Sequence, residues 1–232
     1  MDNTLKVVNE EGKAAKLFLS GTIRRAYPWE NEDVCISAER VRKELDQIGN
    51  KGIEVFINSG GGDVFESVEI CNLFKMHKGG LKIVVTGRAG SGASVICTAG
   101  KVSMFGNAMQ MVHKALTEIF GNADALRKRA DTLDKIDTSV RESYKSKFAG
   151  TEQELVKLIA EEAWLTAEEC LAFGFCDEII DEAEEPKNND TKESKVNIKE
   201  SLFAKYRKEP PNNEEPPAKG GFFNFKKTEV SS

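Results

Sequence analysis

Two strand-to-helix junctions built from glycine constrain this chain more than any other feature. The β-branched run at residues 53–57 ends in Asn58-Ser59-Gly60-Gly61-Gly62, and the apolar run at 82–86 ends in Gly87-Arg88-Ala89-Gly90-Ser91-Gly92. Apolar residues at helical spacing follow each bend: Val64, Val68, Cys71 and Phe74 after the first, and a small-residue helix reaching Ala99 after the second. Successive βα units of this kind bring many backbone N–H groups to one rim of a sheet, where open α/β folds place their sites. Both phosphate-binding patterns fail on spacing. Counted from Gly87, the P-loop lysine position is Ala93, and the third glycine of a dinucleotide fingerprint falls on Phe65 in one bend and Val95 in the other.

Strand and helix patterns alternate on either side of these bends. Leu17, Leu19 and Ile23 predict a strand; Ser37 caps a helix carrying Val41, Leu45 and Ile48; residues 102–105 and 109–112 are further buried strands. Long amphipathic helices are expected over 123–148 and 151–162, and Thr166 with Glu169 forms a capping box for a last short helix. The pattern is α/β with a mainly parallel sheet. Composition changes near residue 180, because five of the six prolines (Pro186, Pro210, Pro211, Pro216, Pro217) lie in the last fifty residues. We therefore expect one folded domain over 1–182 and a low-complexity, disordered tail over 183–232 that cannot fold alone. Within that tail, VNIKESLFAKYRK carries Val196, Leu202, Phe203 and Tyr206 on one face of a short helix. This segment and the aromatic GGFFNF are its candidate docking elements.

The 232 residues carry 33 Lys+Arg against 38 Asp+Glu, a formal charge of -5, so the chain lacks the basic field that non-specific phosphate binding requires. Nucleic acid is not an expected partner. No apolar run approaches the roughly 18 residues that span a bilayer, and the first residues lack a signal-peptide pattern, so the expected location is cytoplasmic and no membrane contact is expected. The five cysteines (Cys35, Cys71, Cys97, Cys170, Cys176) are odd in number, widely spaced and free of any CxxC pair. They are expected as small buried hydrophobes rather than as a disulfide framework or zinc site, and no cofactor or metal is expected.

Ser91 stands between Gly90 and Gly92 where a strand becomes a helix. Its small neighbours admit another chain to the hydroxyl, and the helix N-terminus favours an anion forming beside it, which makes Ser91 a candidate nucleophile. Ser94, one turn deeper, is the competitor. A serine needs a base, and of the two histidines His113 ends the buried run Met109-Gln110-Met111-Val112-His113, whereas His77 precedes Lys78-Gly79-Gly80 at a solvated helix end. A carboxylate should orient the imidazole, and Glu161, Glu162, Asp177 and Glu178 remain open for that role. The order Ser, His, acid and the absence of a GxSxG elbow exclude the α/β-hydrolase fold.

Four stretches together resemble the ClpP serine proteases over residues 15–181: Asn58-Ser59-Gly60-Gly61-Gly62, Gly87-Arg88-Ala89-Gly90-Ser91, Met109 to His113, and Trp164-Leu165-Thr166-Ala167 continuing to Asp177-Glu178-Ile179. Gly62-Asp63-Val64-Phe65, the Gly92-Ala93-Ser94-Val95-Ile96 after Ser91, and Gly121-Asn122-Ala123-Asp124-Ala125-Leu126-Arg127-Lys128 are most similar to the bacteriophage head-maturation branch. The resemblance implies a ClpP/crotonase-type spiral of βα units with a long handle-like helix, here 123–148. By position it makes Ser91 the nucleophile, His113 the general base, Glu162 the acid, and the N–H groups of Gly61 and Gly92 the oxyanion hole. It implies a homo-oligomeric ring, commonly a heptamer stacked in pairs, with substrate bound as an extended strand. The chain departs from the family at Glu162 for aspartate, Gly60 for proline, and Lys114-Ala115 for Gln-Pro.

The implied function is a serine endopeptidase acting on scaffold or capsid protein during phage head maturation, inside the prohead. The alternatives are a Clp-type peptidase served by an ATP-dependent unfoldase, and a non-catalytic ring-forming assembly protein. A crotonase-type acyl-CoA enzyme shares the oxyanion logic, but the Ser91 and His113 motifs argue against it.

Overall fold

The computed structural model of the chain describes residues 4–180 and 191–207; the GGFFNF segment and the prolines of the tail lie outside the described residues. The two glycine-ended strands are the centre of the sheet. β3 (Ile53–Gly62) pairs with β4 (Leu81–Gly90) in parallel, and both strands run on through their glycines. β2 (Ala15–Ile23) joins β3 in parallel and β1 (Thr4–Val8) closes that edge antiparallel to β2. On the other side β5 (Lys101–Phe105) and β8 (Glu178–Ile180) continue the parallel order.

β4 changes partner halfway along its length. Lys82 to Val85 pair with β5, whereas Arg88 to Gly90 pair with β6 (Met109–Met111), which in turn pairs antiparallel with β7 (Trp164–Thr166). The sheet therefore splits at the strand that leads into Ser91. The described chain is α/β with a mainly parallel sheet, as the alternating pattern requires.

The helices start where their caps dictate. Ser37 Oγ accepts the Arg40 N–H at the head of α1 (Ala38–Ile48), and Asp63 Oδ1 accepts the Phe65 and Glu66 N–H groups at the head of α2 (Val64–Met76). α1 and α2 bury Val41, Leu45, Ile48, Ile70 and Phe74 in a core shared with Val55, Ile57, Ile83, Val85 and Met104. The short α3 (Gly92–Cys97) is buried along its whole length, and the long α4 (Ala123–Lys145) is mostly exposed, anchored by Val140 and Tyr144. α5 (Glu152–Ala160) and α6 (Ala167–Phe173) both open with complete capping boxes. All five cysteines are buried and free.

One expectation changes. Part of the stretch assigned to the tail is the helix α7 (Thr191–Arg207), and it packs on the body rather than awaiting a partner. Phe203 and Tyr206 are buried; Phe203 meets Phe173 edge-on at 5.1 Å and Phe148 at 5.8 Å. Arg207 Nε donates to Glu154 Oε1 at 2.6 Å, while Glu154 Oε2 accepts the Thr151 N–H and hydroxyl. Composition misleads here because a few aromatics suffice to dock a polar helix once the body offers the ring pocket. Burial pushes the Glu154 carboxyl up, but the Thr151 N–H, Arg207 and the Thr151 hydroxyl outweigh it and hold it below the ordinary value.

Phe203→Ala should lower stability by about 3 kcal/mol in urea unfolding, the usual cost of removing a buried ring. A carboxyl depressed on folding stabilises fully above its unfolded pKa, roughly 4.3, and that contribution fades as pH falls through the lower folded value. Glu154→Gln should therefore flatten the acid limb of the stability curve, measured by urea midpoints between pH 3 and 6.

Candidate active site

β4 delivers Ser91 at the strand end in a backbone conformation that side chains rarely adopt, φ 52 and ψ -123. Such a residue stores about 1–3 kcal/mol and persists only where its surroundings enforce it. Here the enforcement is visible. The Ser91 N–H donates to Met111 O at 2.8 Å, and Ser94 Oγ lies 2.6 Å from Ser91 O, 3.0 Å from Met111 O and 2.7 Å from the Tyr144 hydroxyl. Ser94 has one proton for the two carbonyls, so Tyr144 O–H donates to Ser94 Oγ. Burial raises the Tyr144 pKa and outweighs the opposing effect of the Ser94 bond, keeping the phenol a neutral donor. Ser94 is 1% exposed, so it buttresses the turn instead of competing as a nucleophile. The Ser91 side chain caps nothing and is free to face solvent and the imidazole.

His113 lies two residues past the end of β6, and its Nε2 is 2.7 Å from Ser91 Oγ. The second sequence candidate, His77, ends α2 and bonds Lys51 O at 2.7 Å. Four acids were open for the third role. Asp177 Oδ2 is taken by the Val102 N–H at 2.7 Å and Lys147 Nζ at 2.8 Å, and Glu178 Oε2 accepts Ser103 Oγ at 3.1 Å, so both tie down the β5–β8 edge. Burial raises the Asp177 pKa, but Lys147 and the Val102 N–H prevail and leave it lowered. Glu161 faces Lys205 of α7 at 3.9 Å. Glu162 is adjacent in sequence to the last contact of the β6–β7 ladder: the antiparallel register Met109↔Thr166, Gln110↔Leu165, Met111↔Trp164 is followed by the Val112 N–H bond to Ala163 O, so Val112 and Ala163, the chain neighbours of His113 and Glu162, are in contact. Glu162 is exposed at φ 52 and its carboxylate does not hydrogen-bond His113 in this conformation.

Sequence reasoning missed Asp137. Its Oδ1 accepts the Ala115 N–H at 2.7 Å and pins the segment after His113 to α4. The bond exists because Ala115 stands where the resemblance expects proline, which has no N–H to give. Only the substitution itself signalled it.

Gly61 and Gly92 abut beneath this pair. Gly61 has φ +92, and a Cβ there would lie 2.5 Å from Gly90 O and 2.7 Å from Gly92 N, which no side chain tolerates. The Gly92 N–H is the first of α3 and has no intrahelical acceptor. The Gly61 N–H is occupied by Ser59 Oγ at 3.0 Å, so only one of the two expected oxyanion donors is free in this conformation. Beside Ser91 and His113 opens a cavity of about 640 Å³ floored by Val95, Met111, Leu133, Ile136, Val140 and Tyr144.

A serine on a strained strand-to-helix turn, an imidazole in hydrogen-bond reach and an apolar cleft on a parallel α/β sheet have the form of a serine hydrolase. The chain belongs to the Clp protease family, which matches residues 37–183. It is 30% identical over 154 residues to the ATP-dependent Clp protease proteolytic subunit of Streptococcus pyogenes serotype M5, covering 60% of this chain and 73% of that protein. The subunit of Streptococcus suis is 29% identical over 147 residues, 56% of this chain and 69% of its own. A ClpP1 variant from Listeria monocytogenes shares the fold with a TM-score of 0.61 at 22% identity, over 72% of this chain and 91% of that one. No helix among the described residues is long and apolar enough to cross a membrane.

Tyr144→Phe keeps the ring's edge contact with Phe175 and deletes the donor to Ser94. We expect kcat for peptide hydrolysis to fall about tenfold, the loss of roughly one supporting hydrogen bond, with KM and thermal midpoint little changed.

Proposed function

We propose that this chain is a serine endopeptidase in which Ser91 is the nucleophile and His113 its general base. The carrying observation is the 2.7 Å contact between His113 Nε2 and the hydroxyl of a serine held at positive φ. Ser91 Oγ attacks the peptide carbonyl as its proton passes to His113 Nε2. The tetrahedral oxyanion forms beside the Gly92 N–H, and beside the Gly61 N–H once that group turns from Ser59 Oγ. His113 then protonates the leaving amine, an ester remains on Ser91, and water enters through the same base to release it. Glu162, the acid that the family resemblance implies, is the chain neighbour of Ala163, which contacts Val112, and its extra methylene over aspartate gives the carboxylate reach to the far imidazole nitrogen when substrate orders the loop. The substrate runs as an extended strand along 62–65 and 114–117, with an apolar side chain in the cavity.

The protein works as a homo-oligomeric ring on protein substrates, in keeping with its family. The stretches that resemble the phage branch support a role in processing scaffold or capsid protein during head maturation. Service to an ATP-dependent unfoldase is the competing assignment: it requires degradation of a folded substrate that starts only when ATPase and ATP are added.

Hydrolysis of an apolar-centred peptide tests the chemistry. Ser91→Ala and His113→Ala should each lower kcat at least about 10³-fold, as loss of a nucleophile or base does. Glu162→Gln should cost about 10–100-fold, while Asp177→Asn lowers the urea midpoint and spares kcat. Equal turnover by wild type and Ser91→Ala rejects the assignment, and rings that assemble without any turnover point to a structural assembly protein.

A further inference from the structure

The cleft beside Ser91 is basic at its rim although the chain as a whole is acidic. Arg129, Leu133, Ile136, Val140 and Tyr144 recur at helical spacing along α4 and all line the cavity, so Arg129 is the outermost member of the stripe whose deep end supports Ser91. Lys114, next to His113, lines the same cavity from the segment that follows β6. Both side chains are exposed, and neither makes an ion pair among the described residues. Arg88, also exposed and without an ion pair there, reaches over Gly60, whose Cβ position would lie 3.2 Å from its Nη2. Asp63 accepts the N–H groups that open α2 and Asp137 accepts the Ala115 N–H, and among the described residues neither they nor Glu162 ion-pair with Arg129, Lys114 or Arg88.

Resting on the peptidase reading above, we propose that Arg129, assisted by Lys114, recognises a carboxylate side chain of the substrate, so that the preferred substrate is an acidic peptide with an apolar residue in the cavity. Geometry sets the spacing. Arg129 lies eight residues from Asp137, about 12 Å along the helix, and Asp137 marks the level of Ala115, two residues beyond His113. An extended peptide advances roughly 3.3 Å per residue, so the carboxylate sits three or four residues past the level of Ala115, on the side that follows 114–117 and more than three residues from the scissile bond. A guanidinium forks onto a carboxylate in two parallel hydrogen bonds, which a neutral amide cannot match.

The test uses the full chain and internally quenched peptides with blocked termini, so that the only carboxylate is the side chain being scanned. Glu, Gln or Lys is placed two to seven residues from an apolar centre on either side. Wild type should favour Glu over Lys at least fivefold in kcat/KM at one such position, and the ratio should shrink in 0.5 M NaCl, as screening demands. Arg129→Glu should invert the ratio, and Lys114→Glu should reduce it. A ratio near one in wild type, or one unchanged in Arg129→Glu with thermal midpoint retained, overturns the proposal. Fluorescence anisotropy of the same peptides decides the two readings separately. Arg129-dependent preference for Glu in binding, without hydrolysis of any peptide, keeps the specificity assignment and removes the catalytic one.

Discussion

The hydrogen bond from the Ser91 N–H to Met111 O, 2.8 Å long, joins the two halves of the site. Ser91 directly follows β4 and Met111 ends β6, two residues before His113, so this single backbone contact sets how far apart hydroxyl and imidazole can lie. It forms only because β4 leaves β5 and takes β6 as partner in its second half. The partner change is thus the structural origin of the 2.7 Å Ser91–His113 contact. Ser94 and Tyr144 brace the same turn from below, which explains how a residue at φ 52 is held without a cap of its own.

Close backbone approach is the second requirement. Gly61 meets Gly90 O and Gly92 N at distances no Cβ can occupy, so both glycine bends serve one point in space. The same economy of elements links site and periphery. α4 supplies Tyr144 beneath the serine, Asp137 at the loop after His113, and Arg129 at the mouth of the cleft. α7 covers α5 and α6 and contacts Glu161 through Lys205.

Much of this was legible in the sequence because it rests on local rules. Ser37, Asp63, Thr151 and Thr166 each begin a helix where their side chains can bind N–H groups, and β-branched alternation marks the central strands. The serine and histidine were legible for the same reason: glycine flanks and a strand end have few other uses. The acid was not, because Glu161, Glu162, Asp177 and Glu178 differ only in what three-dimensional pairing puts across from them. The β6–β7 register brings the chain just after Glu161 and Glu162 alongside Val112, and no periodicity encodes that register. α7 was also illegible, since its proline-rich and charged surroundings describe a polar chain while Phe203 and Tyr206 find their ring partners far away in sequence. The occupied Gly61 N–H is likewise a product of the side chain two residues earlier, which motif spacing does not show.

The most direct measurement is the site of covalent capture by a fluorophosphonate, read by intact mass and peptide mapping of the assembled protein. The account predicts one adduct per chain, carried by Ser91 and lost in His113→Ala. An adduct on another residue, or none on wild type under conditions where the protein is folded, contradicts it.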